Sequence, residues 1–203
     1  MRRQLTRLRV LFDLASTRLR ERSRPLFVPP PADGRVRLNL GCGEKLLPGY
    51  VNVDAATRNG VQPDLISDLK ALDLPDDHAH EILAVHVIEH FYLWEGVVVL
   101  KEWLRILQPG GQLILECPNI LHAAWELLSD PVRSRPDKDG QLSMWSLYGD
   151  PRWEDPLMCH RWGYTPDSLK ALLTEVGFVD VKQEPAVFKK REPRDMRITG
   201  RKR

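Results

Sequence analysis

The stretch Arg37-Leu-Asn-Leu-Gly41-Cys-Gly43-Glu-Lys-Leu-Leu-Pro-Gly-Tyr-Val-Asn-Val-Asp54 decides the fold. Val36, Leu38 and Leu40 alternate into a glycine turn, and Val51 and Val53 alternate up to Asp54, the period of two that marks a strand. Glycines where a parallel strand ends let a ligand press on bare backbone. A carboxylate closing the neighbouring strand accepts both hydroxyls of a ribose. Together they describe a pocket for an adenosine-type cofactor.

The glycines do not fit a dinucleotide. That fingerprint needs a third glycine, which here falls on Leu46, and an acid about 20 residues beyond the glycines. Asp54 follows Gly43 after only eleven positions, and Pro48-Gly49 closes the link before a full helix can face a pyrophosphate. A phosphate loop of the G-x-x-x-x-G-K-[ST] kind is missing as well. The pocket therefore suits a nucleoside without phosphates, S-adenosylmethionine rather than NAD.

Downstream, strand and helix patterns alternate, which implies a parallel sheet. Strands are expected near 35–40, 50–54, 64–67, 81–87 and 112–117. A helix over about 93–107 is stopped by Pro109-Gly110-Gly111. A second helix starts at Thr165-Pro166 and ends at Gly177, and 179–182 and 196–199 read as two last strands. The expected class is α/β, a Rossmann-like and mostly parallel seven-stranded sheet. The links at 44–49 and 55–64 are too short or too broken for crossover helices, so helices are expected to be reduced on one face.

In this setting Leu38-Asn-Leu-Gly41-Cys-Gly43 resembles the first motif of class I S-adenosylmethionine-dependent methyltransferases, and Asp54 their ribose-binding acid. Ser67-Asp68-Leu69 with Leu72-Asp-Leu-Pro75 is similar to their adenine segment. Val85-His-Val-Ile-Glu-His-Phe91 resembles the end of their fourth strand, and Leu107-Gln-Pro-Gly-Gly-Gln-Leu-Ile-Leu115 their turn and fifth strand. Order and spacing match from about Arg35 to Asn119 and more loosely beyond. His160-Arg-Trp-Gly-Tyr-Thr165 and Arg194-Asp-Met-Arg197 are similar to a small bacterial subgroup whose acceptors are poorly defined. The resemblance implies a methyltransferase whose last two strands form an antiparallel pair. It assigns Asn39, Gly41, Cys42 and Gly43 to the methionine and ribose portions of S-adenosylmethionine and Asp54 to the ribose hydroxyls. The Asp68 carboxylate and the Leu69 backbone N–H fall to the adenine, and His86 to the pocket wall. Asn39 stands where the family usually has an acid, and brings no charge to the cofactor's amino group.

His86-Val-Ile-Glu89-His90 is a literal H-x-x-E-H, the signature of the inverted zinc peptidases. Zinc binding there needs a helix, so that residues i and i+4 share one face. The run from Ile82 to Ile88 reads instead as strand, on which such residues sit about 13 Å apart. No metal is expected, and Cys159-His160 lacks zinc spacing. His86 falls at the mouth of the fourth strand, where open sheets bind ligands. Glu89 and His90 begin the acceptor side as candidate general bases. The alternative is that both cap the following helix.

Segment 119–164 is long, irregular in pattern and aromatic, with Trp125, Trp145, Tyr148, Trp153, Trp162 and Tyr164 beside His122, Cys159, His160 and Arg161. It reads as an acceptor-side insertion or lid, with Trp145, Tyr148 and His160 toward a small-molecule or glycan-type acceptor, or else as a second small core. The basic C-terminus, interrupted by Glu192 and Asp195, reads as a solvated strand and tail, or as a contact for a phosphorylated sugar or lipid-linked glycan.

A chain of 203 residues with 42% hydrophobic content holds one domain, at 33–203, behind an arm at 1–32. In the arm Leu5, Leu8, Leu11, Phe12, Ala15 and Leu19 line one face of a helix over 4–22 and arginines the other, before a Pro-rich linker. A helix packed on the domain is favoured, because it covers the sheet face that the short links leave bare. Peripheral membrane or partner contact and organelle targeting are the other readings. A net charge of +2 argues against a dedicated nucleic-acid binder, and three scattered cysteines suit the reducing cytoplasm. No apolar run of about 18 residues predicts a membrane span, and no secretory signal is expected. Oligomeric state is left open.

The expectation is a cytoplasmic methyltransferase that moves a methyl group to an O or N atom of a small-molecule or glycan-type acceptor. The competing class is a non-catalytic Rossmann-like binding module in a glycan or surface-polysaccharide pathway. A nucleic-acid methyltransferase is the third reading, against which the chain carries His86-Val-Ile-Glu89 where amino-group enzymes of that sort have Asn/Asp-Pro-Pro-aromatic.

Overall fold

A computed structural model describes residues 33–131, 140–150, 154–188 and 193–203. Seven strands form one sheet in the order β3-β2-β1-β4-β5-β7-β6. They are β1 (Arg37–Leu40), β2 (Val51–Asp54), β3 (Leu65–Ile66), β4 (Ala79–Val85), β5 (Leu107–Pro118), β6 (Val179–Glu184) and β7 (Asp195–Arg201). β1 lies parallel between β2 and β4, and β5 continues the parallel set. β7 inserts antiparallel between β5 and β6. The strand order therefore reverses at β1, and the glycine turn sits at that switch point, where open sheets leave a crevice.

The period of two sorts the sheet into unlike faces. Leu38, Leu40, Val51, Val53, Ile82, Ala84, Leu113, Leu115 and Ile198 are buried in one core. Helices α1 (Leu93–Ile106) and α4 (Pro166–Val176) add Val99, Leu100, Trp103, Ile106, Leu169 and Leu173 to it. Each such aliphatic side chain contributes about 1.5–3 kcal/mol on burial. Many of the alternate positions are polar, although Leu83 and Ile114 among them are buried and apolar. Asn39 Nδ2 donates to Asn52 Oδ1 at 2.9 Å, Asn52 Nδ2 to Asp64 Oδ2 at 2.8 Å, and Arg197 Nη1 to Glu116 Oε1 at 3.0 Å. Among the described residues no helix crosses from β1 to β2, β2 to β3 or β3 to β4. Helices are thus reduced on one face, as the short links require. The arm expected at 1–32 lies outside the described residues.

Two expectations are corrected. The helix α1, capped by Tyr92 and Glu95, ends at Ile106, and β5 begins at once. Pro109-Gly110-Gly111 is not a turn ahead of the strand but part of an outsized bulge within it, since Leu107 pairs with Ala79 and Gln112 with Glu81. The bulge is held by Gly110 N donating to Lys202 O and Lys202 N to Gly111 O, both at 3.0 Å. Segment 119–164 is also less irregular than its pattern. It forms α2 (Ile120–Ser129), started by Asn119 Oδ1 accepting Leu121 N at 3.1 Å, then α3 (Gly140–Tyr148) and a 3-10 turn at Pro156–Met158. Trp153, a residue singled out for its aromatic ring, lies outside the described residues.

Candidate functional site

A cavity of about 320 Å³ opens at the carboxyl ends of β1, β2 and β4. Gly41 turns the chain out of β1 with φ +65°, and a Cβ there would lie 2.5 Å from Val87 Cγ2. Only glycine lets the end of β1 touch the segment after β4. Gly43, at φ +54°, donates its N–H to Asp54 Oδ2 at 2.8 Å. The loop and the acid at the end of β2 thus lock one another. Asp54 is buried apart from the cavity wall, and its Oδ1 accepts Ala56 N at 3.3 Å and lies 3.7 Å from Arg58 Nε.

Asp68, Leu69 and Lys70 line the wall beyond Asp54. Asp68 Oδ1 accepts Lys70 N at 3.0 Å, and the Leu69 carbonyl accepts Trp103 Nε1 at 3.1 Å. That second bond ties this loop to the core through a fully buried ring.

Two residues assigned to the cofactor do not line the cavity. Asn39 spends both amide hydrogens on Lys45 O and Asn52 Oδ1, each at 2.9 Å, so it shapes the glycine loop from behind. Cys42 is buried beneath the loop, held by its N–H on Val53 O at 3.1 Å. Burial and the Asp54 charge push its thiol up to about 11.

On the other side His86 leaves β4 at φ +57° and lines the wall, with its N–H on Glu116 O at 2.7 Å. His90 also lines the cavity, with Nδ1 3.2 Å from Cys159 O. Glu89 does not reach it. It is 1% exposed, and its backbone carbonyl accepts the N–H groups of Arg161 and Trp162 at 2.8 and 3.2 Å. Burial pushes its carboxyl up, but the hydrogen bond and charge of His86, with the charges of His90 and His160, outweigh that and hold it at about 2. The carboxyl is thus sealed away from the cavity wall. Glu89 and His90 do not cap α1, which is capped by Tyr92 and Glu95.

Trp145, Tyr148 and His160 do not line the cavity either. Tyr148 is exposed, and the His160 ring packs edge-on against His90 with centroids 5.0 Å apart. The same segment instead contributes Leu157, Met158 and Arg161. It is tied across the cavity by Arg58 Nη1 on Asp155 Oδ2 at 2.8 Å, and by the Arg161 guanidinium 5.2 Å from the Tyr92 ring centroid. Sequence reasoning missed Glu44, Lys45, Arg58, Lys70, Phe91, Leu157 and Met158 as lining residues. Glu44, Lys45, Phe91 and Arg161 lie inside stretches quoted for their motifs, whereas Arg58, Lys70, Leu157 and Met158 carried no such signal.

The chain matches a family model described as a methyltransferase domain over residues 44–115. Solved structures share the fold. An S-adenosylmethionine-dependent methyltransferase from Archaeoglobus fulgidus is 18% identical, with a TM-score of 0.54 and 94% of each chain covered. A protein from Pyrococcus horikoshii is 18% identical, with a TM-score of 0.57, 85% of this chain and 84% of that one covered. Human N-acetylserotonin methyltransferase, solved with S-adenosylmethionine, is 18% identical, with a TM-score of 0.50, 82% of this chain and 47% of that one covered. No curated protein sequence matches the chain.

Proposed function

We propose that this chain, a class I S-adenosylmethionine-dependent methyltransferase by its domain match and fold, moves the methyl group to an O or N atom of a small-molecule or glycan-type acceptor in the cytoplasm. The observation that carries the reading is the lock between Gly43 N and Asp54 at the mouth of a cavity also lined by His90 and Arg161. No helix among the described residues is long and apolar enough to cross a membrane.

In this reading Gly41 and Gly43 offer backbone to the ribose and methionine portions, and Asp54 takes the ribose hydroxyls. Asp68 and Leu69 hold the adenine. Val87, Phe91, Leu157 and Met158 exclude water around the sulfonium. The acceptor's nucleophile attacks the methyl carbon in line with the C–S bond. The new bond forms as the C–S pair returns to sulfur, leaving S-adenosylhomocysteine. Positioning supplies much of the rate, since a sulfonium is already a good leaving group. With Nδ1 turned to the Cys159 carbonyl, His90 keeps Nε2 as the lone pair that takes a hydroxyl proton. Lys45, Arg58 and Arg161 on the lining favour an acceptor that carries a phosphate or carboxylate.

Calorimetric titration with S-adenosylhomocysteine, on wild type and Asp54→Ala with NAD as control, tests the reading. Micromolar binding lost in the variant, with no NAD signal, is expected. A wild type that does not bind S-adenosylhomocysteine overturns it.

A further inference from the structure

Beside the cavity lies a cluster that methyl transfer leaves unexplained. Glu89 is 1% exposed, and no backbone N–H reaches either of its carboxylate oxygens. Its neighbours are imidazoles, with His86 Nδ1 at 3.0 Å and His160 Nε2 at 3.9 Å from Oε1. One donor atom from each of Glu89, His90 and His160 lies within 4.8 Å of the others. A sealed carboxylate surrounded by imidazoles alone is unfavourable unless a cation faces it.

Both outer rings are oriented the same way. His90 Nδ1 lies 3.2 Å from Cys159 O, and His160 Nδ1 lies 3.1 Å from Ser146 O. A ring whose Nδ1–H goes to a backbone carbonyl presents Nε2 as a lone pair, which is how metal-ligating histidines are held. The backbone fixes the meeting. Glu89 and His90 stand on the 3-10 turn after β4, and the Glu89 carbonyl accepts the N–H of Arg161, next to His160.

We propose that Glu89, His90 and His160 bind a divalent first-row transition metal at the edge of the cofactor cavity. Two imidazoles and one carboxylate suit Zn²⁺, Co²⁺, Mn²⁺ or Fe²⁺, whereas Mg²⁺ and Ca²⁺ prefer oxygen donors throughout. Metal–ligand bonds of about 2.0–2.2 Å need donor atoms closer than the present spread, which small side-chain rotations supply. This is not the H-x-x-E-H peptidase arrangement, since His86 is not a ligand. It stands behind Glu89, with Nε2 3.6 Å from Asp195 Oδ1, and orients the carboxylate. Three protein ligands leave a position open, and His90 lines the cavity, so that position faces the acceptor. The role, though not the site, rests on the methyltransferase reading. A bound acceptor hydroxyl loses its proton to solvent more readily on the cation, and His90 is then a ligand rather than the proton acceptor.

Protein stripped with a chelator and desalted is titrated calorimetrically with Zn²⁺, Mn²⁺ and Mg²⁺, and Co²⁺ binding is followed by its visible ligand-field absorption. One equivalent of Zn²⁺ or Co²⁺ is expected, with Mg²⁺ silent. His160→Ala and Glu89→Gln should each weaken Zn²⁺ by at least about tenfold. His122→Ala, whose ring pairs with Glu126 away from the cluster, should bind as wild type does. S-adenosylhomocysteine binding by His160→Ala is expected to persist and reports an intact fold, because His160 does not line the cavity. Zn²⁺ bound equally well by wild type and His160→Ala, or no transition metal bound by wild type, overturns the site. Zn²⁺ binding that depends on His160, in a protein that ignores S-adenosylhomocysteine, upholds the metal site and overturns the methyltransferase reading.

Discussion

In the proposed reading the cavity has a cofactor half and an acceptor half, and the two are built by different means. The cofactor half is backbone held by chain neighbours. Gly41, Gly43 and Asp54 belong to one strand-loop-strand, and their lock spans eleven residues. The acceptor half is made of side chains brought from afar. Arg58 meets Asp155 across 97 residues, and His90 meets the Cys159 carbonyl across 69. A half set by backbone geometry tolerates little change, because its tight turn has one steric solution. A half tied by a few partly exposed contacts can be retuned, because each contact is weak and separable. In that reading one chain holds a constant cofactor exactingly while its acceptor side stays adaptable.

Gly41→Ala should break the cofactor half most severely. It adds a Cβ 2.5 Å from Val87 Cγ2 at a φ of +65°. Strain and overpacking together should cost about 2–4 kcal/mol in urea unfolding. Adding Val87→Ala should restore part of that stability, because it removes the clash and leaves the backbone strain. A Gly41→Ala protein as stable as wild type would mean the turn is not sterically fixed. Asp54→Ala comes next. Charge-assisted hydrogen bonds are worth about 1.5–3 kcal/mol each, so S-adenosylhomocysteine affinity should fall about 100-fold by calorimetry. Asp155→Ala should act more gently, at several-fold, since its partly exposed pair with Arg58 is worth about 1 kcal/mol or less. Arg58→Ala should exceed it, because Arg58 also lies beside Asp54. A double-mutant cycle should return a coupling of about 0.5–1 kcal/mol. Additivity in that cycle would show that the tie does not close the cavity.

The same contrast explains what was readable in the sequence. The alternation of Leu38, Leu40, Val51 and Val53 around two glycines fixed strands, turn and pocket end, because the whole unit is local. Periodicity also gave α4, with Thr165 before it and Gly177 after it. The bulge at Pro109-Gly110-Gly111 was hidden, because its partner is Lys202 at the far end of the chain. That Asn39 and Cys42 do not line the cavity has a subtler reason. Sequence adjacency to a glycine turn does not reveal which side chains face the ligand, and these two face Asn52 and the loop's underside. Nothing in the spacing of His90 and His160 says that their rings touch. The short links implied a face with few helices, but the polar network on it, with Asn39, Asn52, Glu81 and Arg197, shows only once β7 pairs with β5.

The smallest effect tests whether the halves are independent. Glu89 sits between them and reaches neither the cavity nor solvent. Its folded pKa of about 2 lies below the ordinary 4.5, so the ionised carboxylate favours the folded state. That contribution is complete above about 4.5 and is lost as pH falls toward 2. The urea midpoint of wild type should therefore drop more steeply on acidification through this window than that of Glu89→Gln, which has no proton to take up. In metal-free protein at neutral pH, S-adenosylhomocysteine should bind the two alike, within about threefold, a difference worth under 1 kcal/mol. Parallel acid profiles would mean that the histidines do not hold the charge. A large loss of cofactor affinity in Glu89→Gln would mean that strain passes from the imidazole cluster through Val87 to Gly41. The acceptor half would then set the cofactor half, and the apparent separation of the two would be a property of the resting protein alone.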